Sequence, residues 1–249
     1  LVLLAFRLVL LCLFESRASP TWLPNKQSFS CGIFLCVPSL NKQLTMALPS
    51  TPGPIGIFDS GYGGLTILHG IRQLLPEYDY VYLGDNARAP YGTRSFDVVY
   101  QFTRQAVIKL FEMGCHLVIL GCNTASAKAL RSIQHRDIPE LDPDRRVLGV
   151  IRPTAEVIGE LTRNNHVGLF ATEGTVRSCS YNLEIGKLWP DIKVTGVACP
   201  FWVPLVEYNE ADSPGADYFV KKRVDELMRK DPDIDTIILG CTHYPLLMP

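Results

Sequence analysis

The chain has 249 residues, 47% of them hydrophobic and 20% charged, with a formal net charge of −1 at pH 7. This length suffices for one large or two small domains with their own cores. The near-neutral charge gives no basic surface of the kind that binds nucleic acid or an anionic membrane. Its eight cysteines form no CxxC pair, which excludes a zinc ribbon and a thioredoxin-like motif. We therefore expect a cytoplasmic protein with reduced thiols and a small-molecule or protein partner.

The N-terminal residues 1–53 differ from the remainder in composition. The apolar run Leu1–Phe14 is interrupted by Arg7 and is too short for a transmembrane helix, which needs about 20 such residues. Prolines then recur without a sustained period up to Pro54, which indicates a loop. Two interpretations remain open, a signal peptide and a translated extension upstream of a start at Met46. We favour the extension and expect no separate domain here.

From Ile55 onward, short apolar segments alternate with segments of helical periodicity. Two helices are predicted at Ser95–Met113, followed by Gly114 as a C-terminal cap, and at Ala216–Arg229. This alternation predicts a parallel sheet with crossover helices. The predicted strands are Ile55–Phe58, Tyr80–Leu83, Leu117–Leu120, Arg146–Val150, His166–Phe170, Lys193–Ala198 and Thr236–Leu239.

Two segments of the sequence are repeated further along the chain. Gly56–Ser60 is echoed by Gly168–Thr172, and Ile119–Thr124 is echoed by Ile238–His243. The two repeated segments are separated by similar lengths of chain in each half. They therefore predict an α/β protein of two pseudo-symmetric, doubly wound domains with parallel sheets.

Each predicted domain, 54–151 and 152–249, carries one cysteine directly after a repeated strand. Ligands of open α/β sheets bind beyond the carboxyl ends of the strands. The two domains would therefore bring Cys122 and Cys241 to one active site in the cleft between them. A single cysteine after an apolar strand is most often a buried, inert thiol, but the repeated polar setting of these two favours function.

Three chemistries are open to such a pair of thiols. One thiolate could remove a proton from one face of a carbon while the other thiol supplies a proton to the opposite face. Cys122, Cys241 and His243 could instead hold a metal such as zinc, or the cysteines could form a redox disulfide. Zinc ligands usually come in closely spaced pairs, and a disulfide would leave no room for a ligand. We therefore favour the two-base chemistry and predict no metal.

Charged residues near the cysteines could tune the thiols, whose reactive form is the thiolate. Asp59 and His243 are best placed to orient or deprotonate them. Helix N-termini after the strands would favour the thiolate further. The glycine-rich segment Asp59–Gly64 could hold a substrate carboxylate on its backbone N–H groups. Glu207 is open to two interpretations, a surface charge or a partner of His243 or of a substrate ammonium group.

The polar residues at the strand ends belong to motifs that follow one another along residues 54–249. They are Gly56–Leu65, Pro90–Gly92, Cys122–Ser126, Ala171–Val176, Cys199–Pro200, Val203–Glu207 and Gly240–Leu246. Together these motifs closely resemble glutamate racemase. The resemblance implies conversion of L-glutamate to D-glutamate for bacterial peptidoglycan, without a metal or another cofactor. It also implies a homodimer.

The same resemblance implies residue roles. Cys122 would exchange the proton of the D-enantiomer and Cys241 that of the L-enantiomer. Asp59 and His243 would assist the thiols, and Glu207 would lie close to His243. The implied substrate contacts are Asp59, Ser60, Tyr91, Gly92, Asn123, Thr124, Thr172, Thr175, Thr242 and His243.

Two features depart from the pattern of the family. Gly121 stands where alanine is more usual before the first cysteine, a small change that should leave the site intact. The family continues beyond the position of Pro249 with a strand and helices that return to the first domain, so we expect the C-terminal part of that domain to be missing. Two other functions remain as alternatives: a racemase for aspartate or another small amino acid, and a non-catalytic thiol- or metal-binding fragment.

Overall fold

The computed structural model describes residues 53–248, so the predicted extension 1–53 lies outside the described residues except for Gly53. The strands differ from the predicted ones by at most one residue at either end, which confirms the prediction. They are Ile55–Asp59 (β1), Tyr80–Gly84 (β2), Leu117–Leu120 (β3), Arg146–Gly149 (β4), His166–Ala171 (β5), Lys193–Ala198 (β6) and Thr236–Gly240 (β7).

Helices connect successive strands. No helix between residues 53 and 248 is both long and apolar enough to cross a membrane. The α-helices are Gly64–Leu74, Phe96–Glu112, Asn123–Lys128, Leu130–Ser132, Ile138–Leu141, Ile151–Leu161, Glu173–Ser178, Ser180–Leu188, Trp202–Glu207 and Pro214–Lys230. Asn86–Arg88 and Tyr244–Leu247 form 3₁₀ turns, and Ile133–Asp137 forms a π-helical turn.

The strands form two parallel sheets, with the order β2-β1-β3-β4 in the first and β6-β5-β7 in the second. The first repeated segment lies on β1 and β5, and the second lies on their neighbours β3 and β7. The two sheets are therefore built alike around the repeat. The predicted α/β fold with parallel sheets is confirmed, while the domain limits 54–151 and 152–249 stay a prediction.

The local sequence explains why these elements form. All five residues of β1 are buried, as expected for a parallel strand covered by helices on both faces. The predicted helix at Ser95–Met113 is also confirmed: Ser95 caps its first turn by accepting a hydrogen bond from Val98 N at 3.3 Å. The helix ends at Glu112 with Met113 as its C-terminal cap, and Gly114 follows with φ of 87°, a left-handed conformation that favours glycine.

The register of the strands aligns their carboxyl ends. Phe58 on β1 pairs with Leu83 and Leu120, and Phe170 on β5 pairs with Val197 and Leu239. In each sheet the loops that follow the two repeated strands are therefore neighbours. This arrangement sets the motif residues along one edge of each sheet.

Candidate active site

Loops at the carboxyl ends of four strands meet between the two sheets. The loop after β1 contacts the loop after β7, since a Cβ atom on Gly63 would lie 2.2 Å from Thr242 Oγ1. The loop after β3 contacts the loop after β5, where Thr124 Oγ1 and Thr172 Oγ1 are 2.8 Å apart. In the repeat, β1 is equivalent to β5 and β7 is equivalent to β3, so these two contacts join equivalent pairs of loops. The two halves therefore meet through equivalent loops.

Cys122 follows β3 and is the N-terminal cap of the helix Asn123–Lys128. Its Sγ atom accepts a hydrogen bond from Ala125 N and donates one to Ser60 Oγ, each at 3.4 Å. Burial and the charge of Asp59 together raise the pKa of Cys122 to about 11, although the hydrogen bond with Ser60 opposes the shift. Cys122 is therefore a thiol at neutral pH, held in place from two sides.

Cys241 follows β7 and is also buried. The Nδ1 atom of His243 lies 3.9 Å from its Sγ atom and 3.4 Å from Thr242 Oγ1. On the other side of the ring, His243 Nε2 lies 2.5 Å from Glu207 Oε1. Of the two interpretations of Glu207, the geometry therefore supports a partner of His243.

Asp59, the last residue of β1, is buried. Its Oδ2 atom accepts a hydrogen bond from Gly61 N at 3.0 Å. Its Oδ1 atom is sealed from solvent and has no hydrogen-bond partner within residues 53–248. Burial raises the pKa of Asp59, an effect that nearby backbone N–H groups and the charge of His243 offset only in part. Asp59 therefore combines a free acceptor with a carboxylate of increased basicity.

The protonation of the thiols differs from the sequence-based expectation. Burial raises the pKa of Cys241 as well, and the charges of Cys122 and Asp59 raise it further. We expected the helix N-terminus at Cys122 to favour the thiolate, but the cost of desolvating a charge outweighs it. A neighbouring base must therefore take a thiol proton before either cysteine can act as a base. His243 and Asp59 are the groups beside the thiols that can do so.

Hydrogen-bonding side chains from both halves lie on the loops that carry the cysteines. The hydroxyl oxygen of Thr172 lies 2.8 Å from that of Thr124 and 3.1 Å from that of Thr175. Asn123 and Thr242 line one cleft together with Cys241. Most of the predicted site residues are thus brought together, while their contacts with a substrate stay a prediction.

Tyr91 lies differently from what its predicted role suggests. It is 1% exposed, its ring packs against Phe58, and its hydroxyl donates a hydrogen bond to Asp85 Oδ2. A substrate contact by Tyr91 would therefore have to use another of its atoms. Gly92 forms a hydrogen bond between the two halves of the chain: its carbonyl oxygen accepts from Gly174 N at 2.8 Å.

The geometry does not support the metal and disulfide alternatives for the cysteines. Cys122 and Cys241 are both free thiols. In the described part of the chain, they and His243 do not converge as metal ligands would. The side chains there that do lie close enough to share an ion are at the opposite edge of the second sheet: His166, Asp231 and Asp233.

A comparison with known families agrees with this geometry. The family model described as Asp/Glu/Hydantoin racemase matches residues 65–249. The chain belongs to this racemase family. The predicted enzyme class, an amino-acid racemase, agrees with this family, and the glutamate racemases named next confirm the resemblance to glutamate racemase.

Individual members of the racemase family support the same assignment. The glutamate racemase of Roseobacter denitrificans is 44% identical over 203 residues, which cover 78% of this chain and 74% of that protein. The solved glutamate racemase of Francisella tularensis, in complex with D-glutamate, shares 36% identity with a TM-score of 0.69, covering 79% of this chain and 71% of that one. The aspartate racemase of Picrophilus torridus shares 17% identity with a TM-score of 0.53, covering 79% and 84%, a likeness of fold alone.

Two residues of the candidate site are not among those predicted from the sequence. Asp85, 8% exposed, accepts a hydrogen bond from the hydroxyl group of Tyr91. Tyr181 reaches Asn123 from the other half of the chain. Both lie outside the residues singled out at strand ends, and Tyr181 looks like one more core aromatic on a helix. The position of Asp85 directly after β2 is the one sequence signal that could have identified it.

Proposed function

We propose that this chain converts L-glutamate to D-glutamate, and the reverse, by a cofactor-independent two-base mechanism that uses Cys122 and Cys241. The observation that carries the proposal is the pair of buried thiols at equivalent strand ends of two like halves, each beside a group able to take its proton. Such a pair can serve one carbon from opposite faces, which is what inversion of a stereocentre requires.

The proton balance of the proposed reaction is simple. In the L-to-D direction, the Cys241 thiolate removes the α-proton of L-glutamate and the Cys122 thiol donates its proton to the opposite face. The reaction leaves Cys241 as a thiol and Cys122 as a thiolate, which is the state that the reverse direction needs. Each thiolate is reached by transfer of its proton to a neighbour, His243 for Cys241 and Asp59 for Cys122.

Substrate charge supports both the binding and the proton transfer. The negative charge of the Asp59 carboxylate attracts the ammonium group of glutamate, and a positive charge in the site favours the thiolate form of a nearby cysteine. The carboxylates of glutamate match the hydrogen-bond donors supplied by both halves. These proposed donors are Ser60, Asn123, Thr124, Thr172, Thr175, Thr242 and backbone N–H groups at Tyr91 and Gly92.

The resemblance to glutamate racemase also supports a biological role. We propose that D-glutamate made by this enzyme enters peptidoglycan, and that the enzyme acts in the cytoplasm as a homodimer.

Racemisation in deuterated water tests the proposed chemistry. The circular dichroism of L-glutamate should decay to zero while deuterium appears at the α-carbon, and a strong chelator should leave the rate unchanged. L-aspartate should react far more slowly. Decay without deuterium incorporation would contradict the two-base mechanism, preference for aspartate would contradict the substrate, and loss of activity with the chelator would favour a metal.

A further inference from the structure

A hydrogen bond between the two halves reaches the residue next to Cys122. Tyr181 lies on the helix Ser180–Leu188, and its hydroxyl donates to Asn123 Oδ1 at 2.6 Å across 58 residues of sequence. Both side chains are buried. Tyr181 has no place in the proton transfers described above.

The protonation of Tyr181 determines how the Asn123 amide is oriented. Burial raises the pKa of Tyr181 above its usual range. A hydrogen bond with Thr154 lowers this pKa in part, and the charge of Cys241 adds to the increase. The phenol therefore keeps its proton and has to donate it. An amide offers one acceptor and one donor group, so Asn123 must turn its oxygen toward Tyr181 and its Nδ2 group away.

The Nδ2 group of Asn123 is available to a ligand. It has no hydrogen-bond partner within residues 53–248, yet it does not belong to the unpaired polar atoms that are sealed from solvent, which are Asp59 Oδ1 and Thr103 Oγ1. Asn123 and Tyr181 line the same cleft as Cys241 and Thr242. A donor with no acceptor in such a cleft suits an anionic group of a ligand.

We propose that Tyr181 is a positioning residue, which fixes the Asn123 amide so that Nδ2 donates to a carboxylate of glutamate. The inference rests on the proposed function, in which Asn123 contacts the substrate. Through Tyr181, the second half of the chain would orient the residue of the first half, Asn123, that binds glutamate.

Steady-state kinetics of single and double variants of the 249-residue chain test this role. Tyr181→Phe should raise KM for both enantiomers about tenfold and change kcat much less, because it frees the amide to rotate without touching the thiols. Asn123→Ala should raise KM at least as much. The double variant should be no worse than Asn123→Ala alone, since Tyr181 acts through that amide.

Tyr80→Phe is the matched control. The Tyr80 hydroxyl donates to Leu75 O at 2.7 Å at the far end of β2, so its loss should lower thermal stability without raising KM. The rise in melting temperature caused by glutamate gives a second readout that needs no turnover. It should shrink in Tyr181→Phe and persist in Tyr80→Phe.

The outcomes separate the two proposals. If Asn123→Ala leaves KM and the glutamate-induced stabilisation unchanged, the proposed substrate contact of Asn123 is wrong. If Asn123→Ala weakens binding but Tyr181→Phe does not, or if the two changes add in the double variant, the positioning role of Tyr181 is overturned while the proposed function stands.

Discussion

His243 and Glu207 are joined by a hydrogen bond of 2.5 Å between Nε2 and Oε1, across 36 residues of sequence. A carboxylate only accepts hydrogen bonds, so the neutral ring carries its proton on Nε2. Nδ1, which faces Cys241, is then free to accept a proton. Glu207 thus selects the tautomer of His243 that can deprotonate the thiol.

Replacement of Glu207 should slow racemisation, and it should do so more when the new side chain has no oxygen to accept the hydrogen bond from His243 Nε2. An acid–base group typically contributes about 10²–10⁴-fold, and loss of its orienting partner should cost less, about tenfold in kcat for Glu207→Ala. Glu207→Gln keeps an oxygen for Nε2–H and should lose less. Circular dichroism gives the rates, and the exposed Glu210→Ala serves as the control. Equal losses in Glu207→Ala and Glu207→Gln would contradict the tautomer argument.

Cys122→Ser and Cys241→Ser should each lower racemisation by more than about 10²-fold. A serine hydroxyl is too weak an acid and base to replace either thiol. Glutamate should still raise the melting temperature of both variants, because the binding groups remain. Cys179→Ser, at an exposed free cysteine, should keep full activity. A fully active Cys122→Ser or Cys241→Ser would refute the mechanism.

Gly63→Ala should damage activity through sterics alone. The backbone of Gly63, with φ of −58° and ψ of −31°, suits any residue. A Cβ atom there, however, would lie 2.2 Å from Thr242 Oγ1 and 2.7 Å from the His243 ring. Forcing these loops apart should lower kcat/KM by about 10²-fold, the usual cost of a misplaced catalytic group.

Gly186→Ala provides the matched comparison. Gly186 is exposed within the helix Ser180–Leu188, and a Cβ atom there meets nothing within 4 Å. The change should raise the free energy of unfolding by about 0.5–1 kcal/mol and leave kcat/KM unaltered. An unchanged rate in Gly63→Ala would show that close contact of the two loops is not needed for activity.

The sequence predicts the fold and the loops of the site well, for a physical reason. Parallel strands covered on both faces, such as β1 and β3, appear as continuous apolar runs, and ligands bind where such strands end. Features set by tertiary packing escape prediction. Tyr181 meets Asn123 only after two halves fold together, and the raised pKa of Cys122 results from burial, which its local sequence does not encode.

Asp231 should make stability depend on acidity. Burial alone would raise the pKa of Asp231, but hydrogen bonds from Lys193 and His166 lower it from 3.8 to about 2. A carboxylate with a lower pKa in the folded chain stabilises the fold above its unfolded value and loses that contribution as pH falls toward the folded value. The contribution is about 2 kcal/mol.

Urea unfolding of Asp231→Asn measures this contribution. The variant should unfold at lower urea than the wild type at pH 7, and the difference should narrow as the pH falls from about 4 to about 2. The exposed Asp191→Asn should show neither effect. If the difference in stability between Asp231→Asn and the wild type does not change with pH, Asp231 stabilises the fold by packing and not by its charge.

The two halves meet through equivalent loops but carry different side chains, and thermodynamics limits what that difference can do in a racemase. L- and D-glutamate have the same free energy in water, so kcat/KM must be equal in the two directions. The halves are nevertheless unequal, because Asp59 corresponds to Ala171 in the repeat and His243 corresponds to Thr124. This inequality can change kcat and KM only together: the enantiomer with the lower KM must have a kcat that is lower by the same factor. A doubled scaffold with different side chains can thus adapt to the enantiomer it meets in excess without shifting the final balance.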